Sequence, residues 1–136
     1  MIIADTSGLL ALFNRREPDH AAVVAAVAAD AEPLVVSPYV VAELDYLVAT
    51  RLGVEAELAV LAELTSGAYE LVAYDVDDLA VARSVVERYQ DQEVGVADAS
   101  IVVLADRYRT RTLLTLDRRH FDVVRPLGGG RFRLLP

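Results

Sequence analysis

A chain of 136 residues can bury one hydrophobic core but is short for two, so we predict a single domain over residues 1–136. Hydrophobic residues make up 54%, yet no run reaches the ~20 apolar residues of a membrane helix, and no signal peptide is recognisable. The lack of cysteine excludes disulfides and thiolate metal sites. These three observations favour a location in the cytoplasm. The net charge of −8 argues against a polyanion partner for the chain as a whole, and because all 13 basic residues are arginine, chemistry that needs lysine is excluded.

The hydrophobic pattern predicts strands that alternate with helices. The strands are the apolar, β-branched runs at 1–4, 33–37, 69–74, 112–116 and 131–135. The helices are predicted at 7–13, 18–31, 38–53, 53–67, 75–90 and 96–109. Pro18 and Pro38 suit first helical turns, and Ser37 suits an N-cap. This alternation predicts an α/β fold with a central parallel sheet and helices on both faces.

Four acidic residues follow the ends of predicted strands or begin the helices after them. Asp5 ends the first strand, and Asp117 follows the run at 112–116. Glu43 lies in the second turn of the helix after the second strand, and Asp98 lies in the first turn of the last long helix. Because ligands bind at the carboxyl ends of the strands in an open α/β sheet, we expect these acids to meet at one rim.

Each acid also has a purely structural interpretation. Asp98 and Asp117 are well placed to cap helices, and Asp75 with Asp78 is interpreted as a capping box rather than as part of a site. Glu43 is harder to explain in this way, because its neighbours are largely apolar and an unpaired glutamate is almost never buried.

Asp5 carries the strongest indication, since a carboxylate at the end of a central strand is costly to bury unless a cation or hydrogen-bond donors meet it. A cluster of carboxylates is stable only when a cation offsets the repulsion, and oxygen ligands suit Mg²⁺ or Mn²⁺. We predict that Thr6, Ser7, Ser100 and Thr115 orient carboxylates or water around such an ion, although hydroxyls near strand and helix ends are common.

These segments together resemble PIN-domain ribonucleases, and more narrowly the VapC toxins of toxin–antitoxin pairs. The matching segments, which span essentially the whole chain, are IIADTSGLLAL, SPYVVAELDYL, VGVADASIVVLA and LLTLDRRHF. The resemblance implies an Mg²⁺ or Mn²⁺ site built from Asp5, Glu43, Asp98 and Asp117, and endonucleolytic cleavage of RNA, with tRNA or rRNA as expected substrates. It also implies a homodimer and a VapB-type antitoxin as partner.

The charge is divided unevenly along the chain. Residues 1–106 hold 5 Arg against 19 Asp and Glu, a net charge of −14, while residues 107–136 hold 8 Arg against 2 Asp, a net charge of +6. We predict that Arg118 and Arg119, beside Asp117, contact the RNA backbone; a solvated arginine-rich surface is the alternative.

Three further polar residues are assigned no ligand role. His20 is predicted to lie at the surface, and so is His120, with phosphate contact as the alternative for His120. Asp91 is a candidate for positioning water or supporting a ligand, with a solvated loop acid as the alternative.

Other protein classes also place acids at strand ends. A response-regulator receiver and a haloacid-dehalogenase-type phosphatase both need a lysine, and the phosphatase has a second aspartate where this chain has Ser7. The alternatives kept are a PIN-fold RNA-processing nuclease without an antitoxin and a non-catalytic α/β interaction module whose acids only cap helices.

The segments 38–52 and 54–66 carry more apolar residues than one buried helix stripe needs. We predict that part of this surface faces a second subunit or the antitoxin, whose tail would bring a basic side chain to the acids. The alternative is that the two helices bury these residues against each other.

Overall fold

The computed structural model describes residues 1–136 and contains one five-stranded sheet. Its strands are β1 (Ile3–Ala4), β2 (Leu34–Val36), β3 (Tyr69–Leu71), β4 (Thr112–Leu114) and β5 (Arg133–Leu135). Every pair is parallel, and the order is β3-β2-β1-β4-β5, so β1 is the central strand. The predicted α/β fold with a central parallel sheet is confirmed.

Seven α-helices connect and flank the strands. They are α1 (Thr6–Phe13), α2 (His20–Ala28), α3 (Pro38–Leu52), α4 (Val54–Leu64), α5 (Val76–Arg88), α6 (Val96–Arg107) and α7 (Arg118–Phe121), with a 3₁₀ turn at Gln90–Gln92. The placement of Pro18 in a first helical turn is wrong, because α2 begins at His20 and Pro18 lies in the turn before it. Helix α7 and the 3₁₀ turn were not predicted. None of these helices combines the length and apolarity needed to cross a membrane.

Local side-chain bonds fix the starts of two helices. The Ser37 hydroxyl accepts a hydrogen bond from the Tyr39 N–H at 3.2 Å, ahead of Pro38 in the first turn of α3. Asp75 and Asp78 form the predicted capping box, in which each carboxylate accepts the other's backbone N–H at 3.0 Å. These residues therefore serve the fold, as expected from the sequence.

Helix α1 packs unusually close to β4, and Gly8 makes this possible. A Cβ at position 8 would lie 2.5 Å from the Leu114 carbonyl oxygen, which also accepts the Asp5 N–H at 2.9 Å. The close approach holds the start of α1 against the end of β4. It thereby joins the residues after β1 to those after β4.

Candidate active site

A cleft of about 360 Å³ opens at the carboxyl ends of the strands. All four predicted acids line it, together with hydroxyl, apolar and basic residues: Asp5, Thr6, Ser7, Leu10, Glu43, Leu47, Arg51, Asp98, Asp117 and His120. The parallel sheet thus brings together residues that are up to 115 positions apart in the sequence, from Asp5 to His120.

Asp5 is the most firmly held of the acids. It is 5% exposed, and its Oδ2 accepts hydrogen bonds from the Ser7 and Thr115 hydroxyls, each at 2.7 Å. Its Oδ1 accepts no hydrogen bond from the protein. One oxygen therefore fixes the carboxylate, and the other is free to bind a cation.

The two supporting hydroxyls are fixed in turn by the backbone that follows β4. Ser7 Oγ accepts the Leu116 N–H at 2.9 Å, and Thr115 Oγ1 accepts the Asp117 N–H at 3.0 Å. Because each hydroxyl gives its only proton to Asp5, the 3.2 Å separation between them is a contact rather than a bond. This network sets the position of Asp5 relative to Asp117.

Asp98 lies in the first turn of α6, and its side chain is 21% exposed. Burial raises the pKa of Asp98 to about 6; the charge of Asp5 adds to this rise, and His120 opposes it. Without a cation, the site therefore resists carrying its full negative charge. A bound cation would remove this resistance.

His120 belongs to the cleft, so the prediction that it lies at the surface is wrong. Its side chain is 14% exposed, and its Nδ1 lies 3.0 Å from Asp117 Oδ2 and 3.5 Å from Asp98 Oδ2. Its backbone N–H also donates to Asp117 at 3.2 Å, because Asp117 caps α7. The spacing of three residues after a helix-capping acid could have indicated this proximity. His20 is partly exposed, in keeping with its predicted place at the surface, and its Nδ1 lies 2.7 Å from the Ala11 carbonyl oxygen.

Glu43 and Arg51 reach the cleft from α3. Glu43 is exposed at the rim, so the argument that it is a buried glutamate is wrong, although its place beside the other acids stands. The sequence reasoning missed Arg51, which lines the cleft and forms no ion pair within 4.0 Å. Glu43, Leu47 and Arg51 follow each other at intervals of four residues, which places them on one helix face. This spacing of four residues could have predicted that Arg51 lies on the same side of α3 as Glu43.

The three remaining candidates, Thr6, Ser100 and Asp91, lie in different surroundings. Thr6 lines the cleft, and its buried hydroxyl has no partner. Ser100 contacts Ser37 at 2.6 Å and donates to the Ala97 carbonyl oxygen at 2.6 Å rather than to a carboxylate, so it joins α6 to the start of α3. Asp91 is exposed beside a neighbouring shallow cavity.

The two predicted RNA contacts lie on α7. Arg118 and Arg119 are both exposed; Arg118 donates to the Pro136 carbonyl oxygen at 3.0 Å, and Arg119 lines the same shallow cavity as Asp91. Their role in RNA binding remains a prediction.

Comparison with known proteins decides the family. The model of the PIN domain matches residues 2–126. The chain belongs to the PIN-domain family. Within that family it is 63% identical over 135 residues to Ribonuclease VapC26 of Mycobacterium tuberculosis (strain ATCC 25618 / H37Rv), covering 99% of this chain and 100% of that protein. This places the PIN domain among the VapC proteins.

Solved structures share its fold at low sequence identity. VapC20 of Mycobacterium tuberculosis, described as a sarcin-ricin loop cleaving toxin, has a TM-score of 0.80 at 21% identity, covering 87% of this chain and 91% of its own. VapBC2 of Rickettsia felis, solved with a fragment of promoter DNA, has a TM-score of 0.72 at 18% identity over 100% of both chains. These likenesses support the PIN fold.

The cleft of this PIN domain suits a divalent cation in chemistry and charge. Its acidic side chains offer oxygen donors, Asp5 Oδ1 has no hydrogen bond, and the pKa of Asp98 is raised by burial and by a neighbouring negative charge. The side chains are not gathered into a ready-made cage, because no group of three His, Cys, Asp or Glu residues is arranged to hold a metal ion. The residues therefore fit Mg²⁺ or Mn²⁺ by type.

Proposed function

We propose that this protein is a ribonuclease toxin of a toxin–antitoxin pair, an endoribonuclease that uses Mg²⁺ or Mn²⁺ to hydrolyse tRNA or rRNA in the cytoplasm. The observation that carries the proposal is the arrangement around Asp5, where one oxygen is fixed by two hydroxyls and the other is left free. The identity to a VapC ribonuclease supports the same reaction. A module whose acids only capped helices would have no use for a free carboxylate oxygen in an acidic cleft.

In this proposal, Asp5, Asp98, Asp117 and Glu43 hold the ion. Held by these residues, a divalent ion would supply positive charge beside the phosphate and would favour ionisation of a water molecule. Hydrolysis in this cleft would form a P–O bond from a water molecule to a backbone phosphorus and break the P–O3′ bond. One proton of the water would end on O3′, which leaves a 5′-phosphate and a 3′-hydroxyl. The His120 ring lies between Asp98 and Asp117, with Nδ1 3.5 Å and 3.0 Å from their Oδ2 atoms, although neither ring nitrogen forms a hydrogen bond.

Basic residues around the cleft would position the RNA. Arg51 lines the cleft without an ion-pair partner, so its guanidinium is available for a phosphate next to the cleavage site. Arg118 and Arg119 extend this surface along α7. Phosphate contacts of this kind set the register of the RNA without reading its sequence.

We expect the purified protein to cleave RNA in millimolar Mg²⁺ or Mn²⁺ and to stop when EDTA is added. We also expect Mn²⁺ to raise the melting temperature, because an ion that binds only the folded state stabilises it. Gel assays of cleavage products and thermal melting measure the two effects. Cleavage that continues in EDTA, or no cleavage and no thermal shift with either ion, would contradict the metal-dependent mechanism.

An apolar groove beside the cleft supports an antitoxin partner. The groove, of about 200 Å³, lies between α1, α3 and α4, and Leu10 lines both the groove and the acidic cleft. On α3 and α4, Val40, Val48 and Val60 are buried, whereas Tyr46 and Leu58 are 66% and 62% exposed. The two helices therefore bury part of their apolar surface within the protein and leave another part exposed.

We propose that an extended or helical tail of a VapB-type antitoxin occupies this groove and brings a basic side chain to Asp5, Glu43 and Asp98. The protein is also proposed to form a homodimer through part of the exposed α3 and α4 surface. Exposed apolar side chains next to an acidic cleft match a segment that combines apolar anchors with a positive charge.

We expect the protein to co-purify with the product of a small neighbouring antitoxin gene and to arrest growth when that gene is absent. Leu52→Asp should weaken the complex by about 30-fold, as loss of a well-buried interface anchor does. Leu127→Asp is the matched control, because the two leucines are 50% and 41% exposed and Leu127 lies outside the groove. Pull-down and growth assays measure both effects. Equal capture of the two variants, or toxicity that the neighbouring gene does not relieve, would refute the antitoxin site and leave the nuclease proposal standing.

A further inference from the structure

A second polar cavity lies at the opposite end of the sheet from the acidic cleft. It has a volume of about 260 Å³, and Arg109, Arg111, Asp106 and Gly128 are among its lining residues. Arg111 immediately precedes β4, whereas Asp117 follows that strand. At ~3.3 Å per residue, the two lie up to ~20 Å apart along the chain. The proposed ribonuclease reaction makes no use of this cavity.

The segment that carries the two arginines is held in place by its backbone. The Arg109 N–H donates to the Asp106 carbonyl oxygen at 3.1 Å, and the Arg111 carbonyl oxygen accepts the Arg133 N–H at 2.8 Å. Between them, the Thr110 hydroxyl donates to the Met1 carbonyl oxygen at 2.8 Å. The cavity is therefore a fixed feature of the fold rather than a mobile surface loop.

The side chain of Arg111 is positioned by the glycine loop, residues 128–130, that precedes β5. A Cβ at Gly130 would lie 2.7 Å from Arg111 Nη1, so the guanidinium packs directly against this glycine. Gly130 has φ +85 and the preceding Gly129 has φ +82, a conformation that residues with a side chain rarely adopt. The loop thus has a backbone suited to receiving this guanidinium.

Both guanidinium groups lack a counterion in the protein. Neither Arg109 nor Arg111 lies within 4.0 Å of any carboxylate, although Asp106 lines the same cavity. By contrast, Arg107 on the same helix end pairs with Asp78. Two unpaired arginines that line one cavity form a site for an anion, and the guanidinium group binds phosphate, like carboxylate, in a bidentate manner.

We propose that this cavity is a distal phosphate site that binds the backbone of folded RNA away from the position of cleavage. The inference rests on the proposed ribonuclease function and extends it by assigning affinity for large RNA to the end of the sheet opposite the acids. RNA is favoured over an acidic peptide because the rest of the basic end, with Arg131 and Arg133 following the glycine loop, provides further unpaired positive charge for a polyanion.

The experiment measures binding in EDTA by fluorescence anisotropy, so that cleavage does not interfere. The probes are a labelled RNA hairpin of about 20 base pairs, long enough to span both ends of the sheet, and a labelled tetranucleotide of roughly 14 Å, which is too short to do so. The variant is R109Q/R111Q. The matched control is R83Q/R88Q, two exposed arginines of α5 that line no cavity. R118E/R119E serves as the comparison near the cleft.

We expect R109Q/R111Q to bind the hairpin about 10-fold more weakly at 0.1 M salt and to lower the slope of log affinity against log salt by about 2, one for each lost phosphate contact. Its binding of the tetranucleotide should equal that of the wild type. R118E/R119E should weaken the binding of both RNAs, whereas R83Q/R88Q should weaken the binding of neither RNA.

Three results would overturn the inference. Hairpin binding by R109Q/R111Q that equals the control removes the distal site, while a loss of tetranucleotide binding in R118E/R119E would still support the ribonuclease. Equal losses for both RNAs in R109Q/R111Q would show a general effect of charge. Duplex DNA of the same length serves as a third probe, and a loss seen with this DNA but not with the hairpin would assign the cavity to DNA.

Discussion

Replacement of Asp5 by asparagine should lower RNA cleavage by about three orders of magnitude, equivalent to ~4 kcal/mol of transition-state stabilisation. The amide oxygen of asparagine can still accept the hydrogen bonds from Ser7 and Thr115. The amide nitrogen then takes the place of the free Oδ1 and presents hydrogen-bond donors to the cation. The substitution therefore removes the proposed metal contact and keeps the shape of the site.

Cleavage rates in Mg²⁺ and circular dichroism spectra test this expectation. Asp122→Asn is the matched control, because Asp122 is an exposed acid just after α7 that lines no cavity. It should cleave RNA as the wild type does. If Asp5→Asn retained near wild-type cleavage with an unchanged spectrum, Asp5 would have no place in the reaction.

Replacement of Asp98 by asparagine should stabilise the metal-free protein even though it abolishes cleavage. Burial raises the pKa of Asp98 to about 6 from the ordinary aspartate value of 3.8, so the folded state binds this proton more tightly than the unfolded state does. Above pH 6 the ionised carboxylate thus costs stability, on the order of 2 kcal/mol, and asparagine avoids that cost. The melting temperature at pH 7.5 should rise by about 5 °C.

The stabilisation by Asp98→Asn should depend on pH in one direction. As the pH falls from 6 towards 4, Asp98 becomes protonated in the folded wild type, and the advantage of asparagine should disappear. Thermal melting across this range, with Asp77→Asn as control, measures the effect, because Asp77 also lies in a first helical turn but is exposed. Mn²⁺ should stabilise the wild type more than Asp98→Asn. A variant less stable than the wild type at pH 7.5 would contradict the account of a charge buried without compensation.

The sequence was sufficient to predict the sheet and the grouping of its acids. Alternating patterns fix which segments are strands, and a parallel sheet necessarily brings its carboxyl ends to one edge, so Asp5, Asp98 and Asp117 could be placed without coordinates. The support of Asp5 by Ser7 could be anticipated from their separation of two residues, and that by Thr115 from its place at the end of β4.

Other features depended on three-dimensional packing that no local pattern reveals. His120 enters the cleft because Asp117 begins a one-turn helix there, and a four-residue helix leaves too short a pattern to predict. Ser100 looked like a support for the acids, but it faces Ser37 because α6 packs against the start of α3. The exposure of Glu43 was missed because apolar neighbours on a helix indicate which face is buried only when the partner of that face is known.

The contact at Gly8 ties the assembly of the cleft to the folding of the sheet. A methyl group at that position would act as a wedge between α1 and β4, pressing on the Leu114 carbonyl oxygen that also receives the Asp5 N–H. The wedge would move Ser7 away from Thr115 and so release Asp5 from both of its supports at once. A buried glycine that does not itself line the cleft thus controls the geometry of the acidic cluster, and this chain can lose its chemistry through a change that alters no charge and removes no polar group.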